Sequence, residues 1–164
     1  MPDDFLDMTL CSPPYDDLRA YNGYNLPLDR IIQRLYQKTK PGGIVVWVVG
    51  DKTENGGESL TSFDHAIAFV REGGFKLHDT MMYVKNNPIP SDCGKRYRQS
   101  FEYMFCFSKG VPRTFNAITE PTKSAGKKIK AFRITQDGRG NVPAEDIGRH
   151  IKAERKASNI FTYN

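Results

Sequence analysis

Apolar positions along the chain switch between two periods. A short run from Phe5 to Cys11 predicts a strand, and Ser12-Pro13-Pro14-Tyr15 closes it. Two consecutive prolines remove two backbone donors and fix two φ angles, so a strand cannot continue through them. Residues 16–25, DDLRAYNGYN, are polar and contain Gly23, which predicts a loop. From Pro27 to Thr39 the period becomes helical. Leu28, Ile31, Ile32, Leu35 and Tyr36 form one stripe, Pro27 suits the first turn, Asp29 suits the N-terminal dipole, and Pro41-Gly42-Gly43 ends the element. Ile44–Val49, IVVWVV, is continuous, rich in β-branched residues and framed by Gly43 and Gly50, the pattern of a strand covered on both faces. A second helix is predicted from Thr61 to Glu72, with Thr61 and Asp64 as a capping pair and Phe63, Ile67 and Val70 facing inward. Gly73-Gly74 closes it.

Strands are then predicted at Leu77–Val84 and Glu102–Ser108, joined by a turn-rich segment carrying Lys95, Arg96 and Arg98. Beyond Gly110 the periodicity fades. A short strand at Phe132–Thr135 and a basic helix over Pro143–Lys156 are the elements predicted there. Strand, helix, strand, helix, then two strands predicts an α/β fold with a parallel sheet whose last two strands are antiparallel neighbours. Phe5, Trp47, Phe63, Phe105 and Phe107 are the expected core aromatics.

Composition narrows this picture. The 164 residues are 38% hydrophobic and 12% aromatic, enough for a folded core and unlike a disordered chain. No apolar run approaches the roughly 20 residues of a membrane helix. The opening MPDDFLD has no charged-then-apolar signal pattern, so a cytoplasmic protein is expected, with no membrane partner. Cys11, Cys93 and Cys106 are odd in number and contain no Cys-x-x-Cys, so reduced thiols are expected. His65, His78 and His150 lack ligand spacing, and no metal site is expected. The net charge of +5 is unevenly spread. Lys109–Lys156 holds 12 Lys/Arg against 5 Asp/Glu, an excess of 7, and the remainder holds 12 against 14. A basic C-terminal third on a near-neutral body suits a polyanion.

The strand ends carry the candidate chemistry. In open α/β sheets ligands bind outside the carboxyl ends of the strands. Ser12–Tyr15, Asp51 and Lys85 all fall there. Pro13 and Pro14 have no N–H, so their segment presents carbonyl oxygens, and the Ser12 hydroxyl adds another acceptor. Acceptors converging on one point suit an amino group, and Tyr15 offers a face to the aromatic ring that carries it. Hydrogen bonds accepted from such an amine draw its nitrogen toward sp³ and make it nucleophilic. A base inside a duplex cannot reach the pocket and must be flipped out.

DMTLCSPPY resembles the catalytic segment of the amino-methylating DNA methyltransferases, which modify N4 of cytosine or N6 of adenine with S-adenosylmethionine. KPGGIVVWVVGD, HDTMMYVKNNP with Tyr83, Lys85 and Pro88, and FEYMFCFSKG from Glu102 to Gly110 resemble the next segments in the same order, over roughly residues 3–110. The resemblance implies a Rossmann-like α/β methyltransferase sheet. About four strands of its seven would be present, with flanking helices and a basic C-terminal extension. It implies a catalytic half over 1–110 and a target-recognition region, or its beginning, over 111–164. Ser12, Pro13, Pro14 and Tyr15 would be catalytic, and Asp51, Lys85 and Glu102 would line the substrate pocket. Arg19, Tyr21 and Tyr24 would contact DNA from the loop. Lys95, Arg96, Arg98, Lys123, Lys127, Lys128, Lys130, Arg133 and Arg139 would contact phosphates, giving salt-dependent affinity without reading sequence.

Serine at the first motif position favours N4 of cytosine. N6 of adenine is the alternative, and a non-catalytic DNA-binding fragment or subunit is a second. The family's Asp-Pro-Phe-x-Gly-x-Gly loop for S-adenosylmethionine has no counterpart in the 164 residues; DGRGN lacks a preceding apolar strand. The chain is therefore expected to be a piece of a longer enzyme, inactive alone, with the apolar edge of Phe5–Cys11 prone to self-association or complementation. Double-stranded DNA and a cognate restriction endonuclease are the implied partners.

Overall fold

The computed structural model describes residues 1–14, 26–88, 95–128, 132–134, 141–143 and 150–163. These divide into two compact units, Met1–Phe115 with Asn159–Asn164, and Asn116–Ser158.

The first unit is a mixed α/β fold. Its elements are β1 (Leu6–Cys11), α1 (Leu28–Lys38), β2 (Thr39–Val49), a small hairpin of β3 (Thr53–Glu54) and β4 (Gly57–Glu58), α2 (Thr61–Arg71), β5 (Lys76–Lys85) and β6 (Phe101–Ser108). The second unit holds β7 (Thr119–Pro121), β8 (Phe132–Ile134), β9 (Asn141–Pro143) and β10 (Glu154–Lys156), after which β11 (Ile160–Tyr163) returns to the first. The main sheet has five strands in the order β1-β2-β6-β5-β11. β1 runs parallel to β2 and β11 parallel to β5, while β6 runs antiparallel to both of its neighbours. The expected antiparallel pairing of the last two predicted strands is thus present as β5 and β6. The fifth strand, β11, is not among the elements that the local pattern predicts.

The core lies on one face of this sheet, under both helices. Val45, Trp47 and Val49 of β2, with Phe105 and Phe107 of β6, point into this layer, and the intervening Val46 and Cys106 are buried on the opposite face. Ile32 of α1, Ala68 and Phe69 of α2, and Phe75 close the layer above them. Phe69 stacks flat on Phe107 at 4.2 Å between ring centroids and tilts against Trp47 at 4.9 Å. The Trp47 indole N–H donates to Nδ1 of buried His65 at 3.1 Å, so that this ring nitrogen is an acceptor. Gly73 is required where the end of α2 meets α1, because a Cβ there would collide with Ile32 and the Phe69 backbone.

Five expectations fail here, each for a local reason. The apolar stripe of α2 faces outward: Phe63, Ile67 and Val70 are 40–46% exposed, and Ser62, His65, Ala68 and Phe69 are the buried side. Phe63 keeps one ring contact, with Tyr103 at 5.4 Å. Phe5 is also exposed, because it precedes β1, and β1 ends the strand order with β2 as its one partner among the described strands. Pro41-Gly42-Gly43 does not separate helix from strand. Thr39 already pairs with Leu6, and the next pair is Met8 with Ile44, so the Pro-Gly-Gly segment bulges out of β2. Gly42 takes φ +81° and its N–H reaches the Lys109 carbonyl at 2.6 Å. Finally, the basic helix over Pro143–Lys156 is absent among the described residues: Pro143 ends β9, and Glu154–Lys156 is a strand paired with β7.

Thr61 and Asp64 form no cap at α2 either. The residue before the helix is Leu60 at φ +63°, with no capping side chain of its own. The acceptor comes from Asp51, eleven residues earlier in the chain. Among the described residues no helix is long and apolar enough to cross a membrane.

Candidate active site

The strand directions bring several predicted positions to one edge of the sheet. β1, β2, β5 and β11 all end there, and β6, running the other way, begins there. In chain order this edge holds Ser12–Pro14, Asp51, Lys85 and Glu102. Strands lie about 4.8 Å apart, so the end of β1 stands about 10 Å from the start of β6 and about 14 Å from the end of β5.

Ser12 is exposed, Pro13 is buried and Pro14 is half-buried. The segment is anchored at its middle and presents its serine to solvent. Cys11, just before it, pairs with Trp47 of the core strand and packs against the buried cluster. Burial pushes the Cys11 thiol above its ordinary range, so it stays protonated at neutral pH. Tyr15, Arg19, Tyr21 and Tyr24 lie outside the described residues.

Asp51 is only 6% exposed, and both of its oxygens are engaged. Oδ1 accepts from the Ser62 N–H at 2.8 Å, and Oδ2 accepts from the Ser62 hydroxyl at 2.5 Å. The carboxylate therefore sits on the first turn of α2, where unpaired N–H groups and the helix dipole favour a negative charge. It joins the end of β2 to the start of α2.

Lys85 and Glu102 are brought together. Lys85 Nζ lies 2.5 Å from Glu102 Oε1, between the end of β5 and the start of β6. The Lys85 N–H donates to the Ser100 carbonyl at 2.7 Å, which extends the pairing beyond the strands. Tyr103, which the sequence reading does not single out, belongs to the same edge. Its ring is stacked on Phe105 at 5.4 Å and edge-on to Phe63 and Phe101. Burial, followed by the charges of Asp51 and Glu58, raises its hydroxyl above the usual range. Within an alternating aromatic strand such as FEYMFCF nothing marks one ring as the member nearest a strand-end acid.

The remaining predicted cations separate by position. Lys95, Arg96 and Arg98 are exposed in the segment leading into β6, and Arg96 pairs with Glu58 at 3.3 Å. Lys123, Lys127 and Lys128 are exposed in the second unit. Arg133 falls in β8, and Lys130 and Arg139 lie outside the described residues. A cleft of about 440 Å³ runs along α1, with Leu6, Ile31 and Leu35 in its lining and Arg30, Arg34 and Lys38 beside them; none of the predicted site residues lines it.

Residues 6–161 match a family model described as DNA methylase, for the N6 and N4 methyltransferases. The orphan methyltransferase M.BamHII of Bacillus amyloliquefaciens is 53% identical over 136 residues, covering 81% of this chain and 51% of the relative. The type II methyltransferase M.BglII of Bacillus subtilis is 22% identical over 158 residues, covering 92% and 42%. The chain thus spans about half the length of these relatives. Among solved structures, the cytosine-N4-specific PvuII DNA methyltransferase superposes with a TM-score of 0.60 at 18% identity, covering 99% of this chain and 51% of that one. At that identity the likeness concerns the fold.

Proposed function

The chain belongs to the DNA methylase family that modifies exocyclic amino groups, and from this we propose that it supplies the methyl-acceptor side of a DNA methyltransferase. Ser12–Pro14 at the carboxyl end of β1 carries this reading: an exposed serine beside a buried proline, in a segment with two missing N–H donors. In that role the Ser12 hydroxyl and the adjoining carbonyls accept hydrogen bonds from the amine of a flipped-out base, and Tyr15 stacks on its ring. Accepting those bonds orients the nitrogen lone pair and strips the amine of water. Lys85 and Glu102, already paired, border the same edge, whereas Asp51 supports it from within.

S-adenosylmethionine is the family's methyl donor. Among the described residues none forms its glycine loop: the positive-φ glycines there are Gly42, Gly56, Gly74, Gly110 and Gly126, and none of them directly follows a main-sheet strand at the carboxyl edge. We assign the donor's binding loop to the part of the relatives that this chain does not span, and the chain alone is expected to be inactive. Cytosine N4 is the favoured acceptor, supported by Ser12 and by the fold likeness to a cytosine-N4-specific enzyme.

The test joins this chain to the half of M.BamHII it does not span and follows labelled methyl transfer from S-adenosylmethionine to duplex DNA. Nucleoside mass analysis then separates N4-methylcytosine from N6-methyladenine. Ser12→Ala in the joined protein is expected to abolish most turnover and leave DNA binding within a few fold. Unchanged turnover removes Ser12 from the site, and transfer by the chain alone removes the assignment of the donor loop.

A further inference from the structure

Tyr97 is 101% exposed, as much as in an extended peptide. A tyrosine ring is a large amphipathic surface of the kind enriched at binding interfaces. Its neighbours are Lys95, Arg96 and Arg98, all exposed. The segment is nonetheless held at two points. The Ser100 carbonyl accepts from the Lys85 N–H at 2.7 Å, and Arg96 Nη2 lies 3.3 Å from Glu58 Oε1 on the β3–β4 hairpin. The ring is therefore presented by an anchored segment that leads directly into Phe101 and Glu102, at the sheet edge that carries Ser12.

A flat ring among three cations matches the chemistry of an unstacked nucleotide. Every base has a π-face for the ring, and the flanking phosphates suit the cations. A peptide partner would supply neither in a repeating register. Building on the DNA reading above, we propose that Tyr97 is a stacking residue for an unpaired base of the DNA substrate, separate from the base held at Ser12–Tyr15. Lys95 and Arg98 neutralise the phosphates on either side, and Arg96 braces the segment through Glu58.

Stacking and charge are separable by experiment. The 164-residue chain is titrated against a 15-nucleotide single strand carrying one 2-aminopurine, and against the matching homoduplex. Stacking on Tyr97 quenches the 2-aminopurine fluorescence on binding. Tyr97→Ala is expected to weaken single-strand binding about 5- to 150-fold, the range for losing one stacked base, and to abolish the quench. Tyr97→Phe is expected to retain both, and homoduplex affinity to change little in either variant. Lys95→Ala with Arg98→Ala is expected to lower the salt dependence of binding and leave the quench intact at saturation. Equal single-strand affinity in the wild type and Tyr97→Ala overturns the stacking role while leaving the methyltransferase reading in place. Loss of the quench in Tyr97→Phe as complete as in Tyr97→Ala also overturns it. A wild-type chain that binds neither DNA overturns the proposal together with its premise, which the methyl-transfer assay tests separately.

Discussion

Replacing Asp51 by alanine distinguishes a residue that supports the site from one that lines it. The carboxylate is buried and makes two hydrogen bonds to Ser62, whose side chain is itself fully buried. Alanine leaves the Ser62 hydroxyl and the Ser62 N–H without their acceptor. A lost helix cap costs about 0.5–2 kcal/mol, and a buried hydroxyl left without its partner about 1–3 kcal/mol. The two overlap, so a destabilisation of about 3 kcal/mol is expected. An asparagine at this position behaves differently, since its carbonyl can still accept from the Ser62 N–H and its amide can donate to the hydroxyl. Asp51→Asn is therefore expected to recover more than half of the loss. Trp47, the chain's single tryptophan, is fully buried beside this layer and reports unfolding by fluorescence in a urea titration. A double-mutant cycle with Ser62→Ala should give a coupling of about 1–2 kcal/mol, as expected for two residues in direct contact. If Asp51→Ala unfolds within about 0.5 kcal/mol of the wild type, the capping argument is wrong, and the carboxylate is free to be assigned to substrate.

Two further outcomes follow from the same geometry. Lys109 Nζ donates to the Tyr36 and Thr39 carbonyls and to Asp4, at 2.8–2.9 Å, and lies 4.6 Å from the centre of the Tyr36 ring. Lys109→Met, which keeps the chain length, is expected to lower stability by about 2–3 kcal/mol in the urea titration, in line with losing charged hydrogen bonds; a loss under about 0.5 kcal/mol would show that water replaces the contacts. Cys106 is raised from 9.0 to about 11, first by burial and then by the charge of Asp79. The folded state thus holds this proton more tightly than the unfolded state, so its contribution is full below pH 9 and is lost as pH rises toward 11. Cys106→Val is expected to flatten that part of the stability–pH curve relative to the wild type, and an identical slope would refute it.

Much of the fold was legible because its central strands carry an unambiguous pattern. Ile44–Val49 reads as an interior strand and is one, lying between β1 and β6, although both helices pack on the same face of it; the two helices fall within a residue or two of their predicted limits. The misreadings arise where two local rules give the same pattern. Phe63, Ile67 and Val70 make a good helical stripe, yet so do Ser62, His65, Ala68 and Phe69. The latter wins because β2 and β6 already fill the interior with Trp47, Phe105 and Phe107, leaving room for one large ring and small neighbours. Pro-Gly-Gly signals a chain break equally well when it bulges out of a strand. β11 is four residues long, and its pairing with β5 depends on distant sequence that no local window contains. The strand-end positions of Ser12–Pro14, Lys85 and Glu102 were legible, since strand ends can be counted along the chain. Asp51 could not be read, because a carboxylate one residue beyond a strand looks the same whether it turns toward a ligand or toward the next helix.

The arrangement explains why exposed chemistry can sit on a terminal strand. An edge strand with a single neighbour is ordinarily the least constrained part of a sheet. Here Met8 and Leu10 are more than half exposed, so β1 gains little from packing at those positions. Its carboxyl end is fixed by other means: Cys11 lies against the aromatic core, Pro13 is buried, and the proline pair restricts the backbone of Ser12 and of the two residues after it. The neighbouring strand end is tied to α2 through Asp51, and the next two are tied to each other through Lys85 and Glu102. Each tie joins a strand end to a different element, so under the proposed function the strand ends hold their spacing although β1 has one strand neighbour among the described residues. A site that must align a weak nucleophile needs that spacing more than it needs a buried strand, because misplacement of about 1 Å is enough to lower a rate about 100-fold.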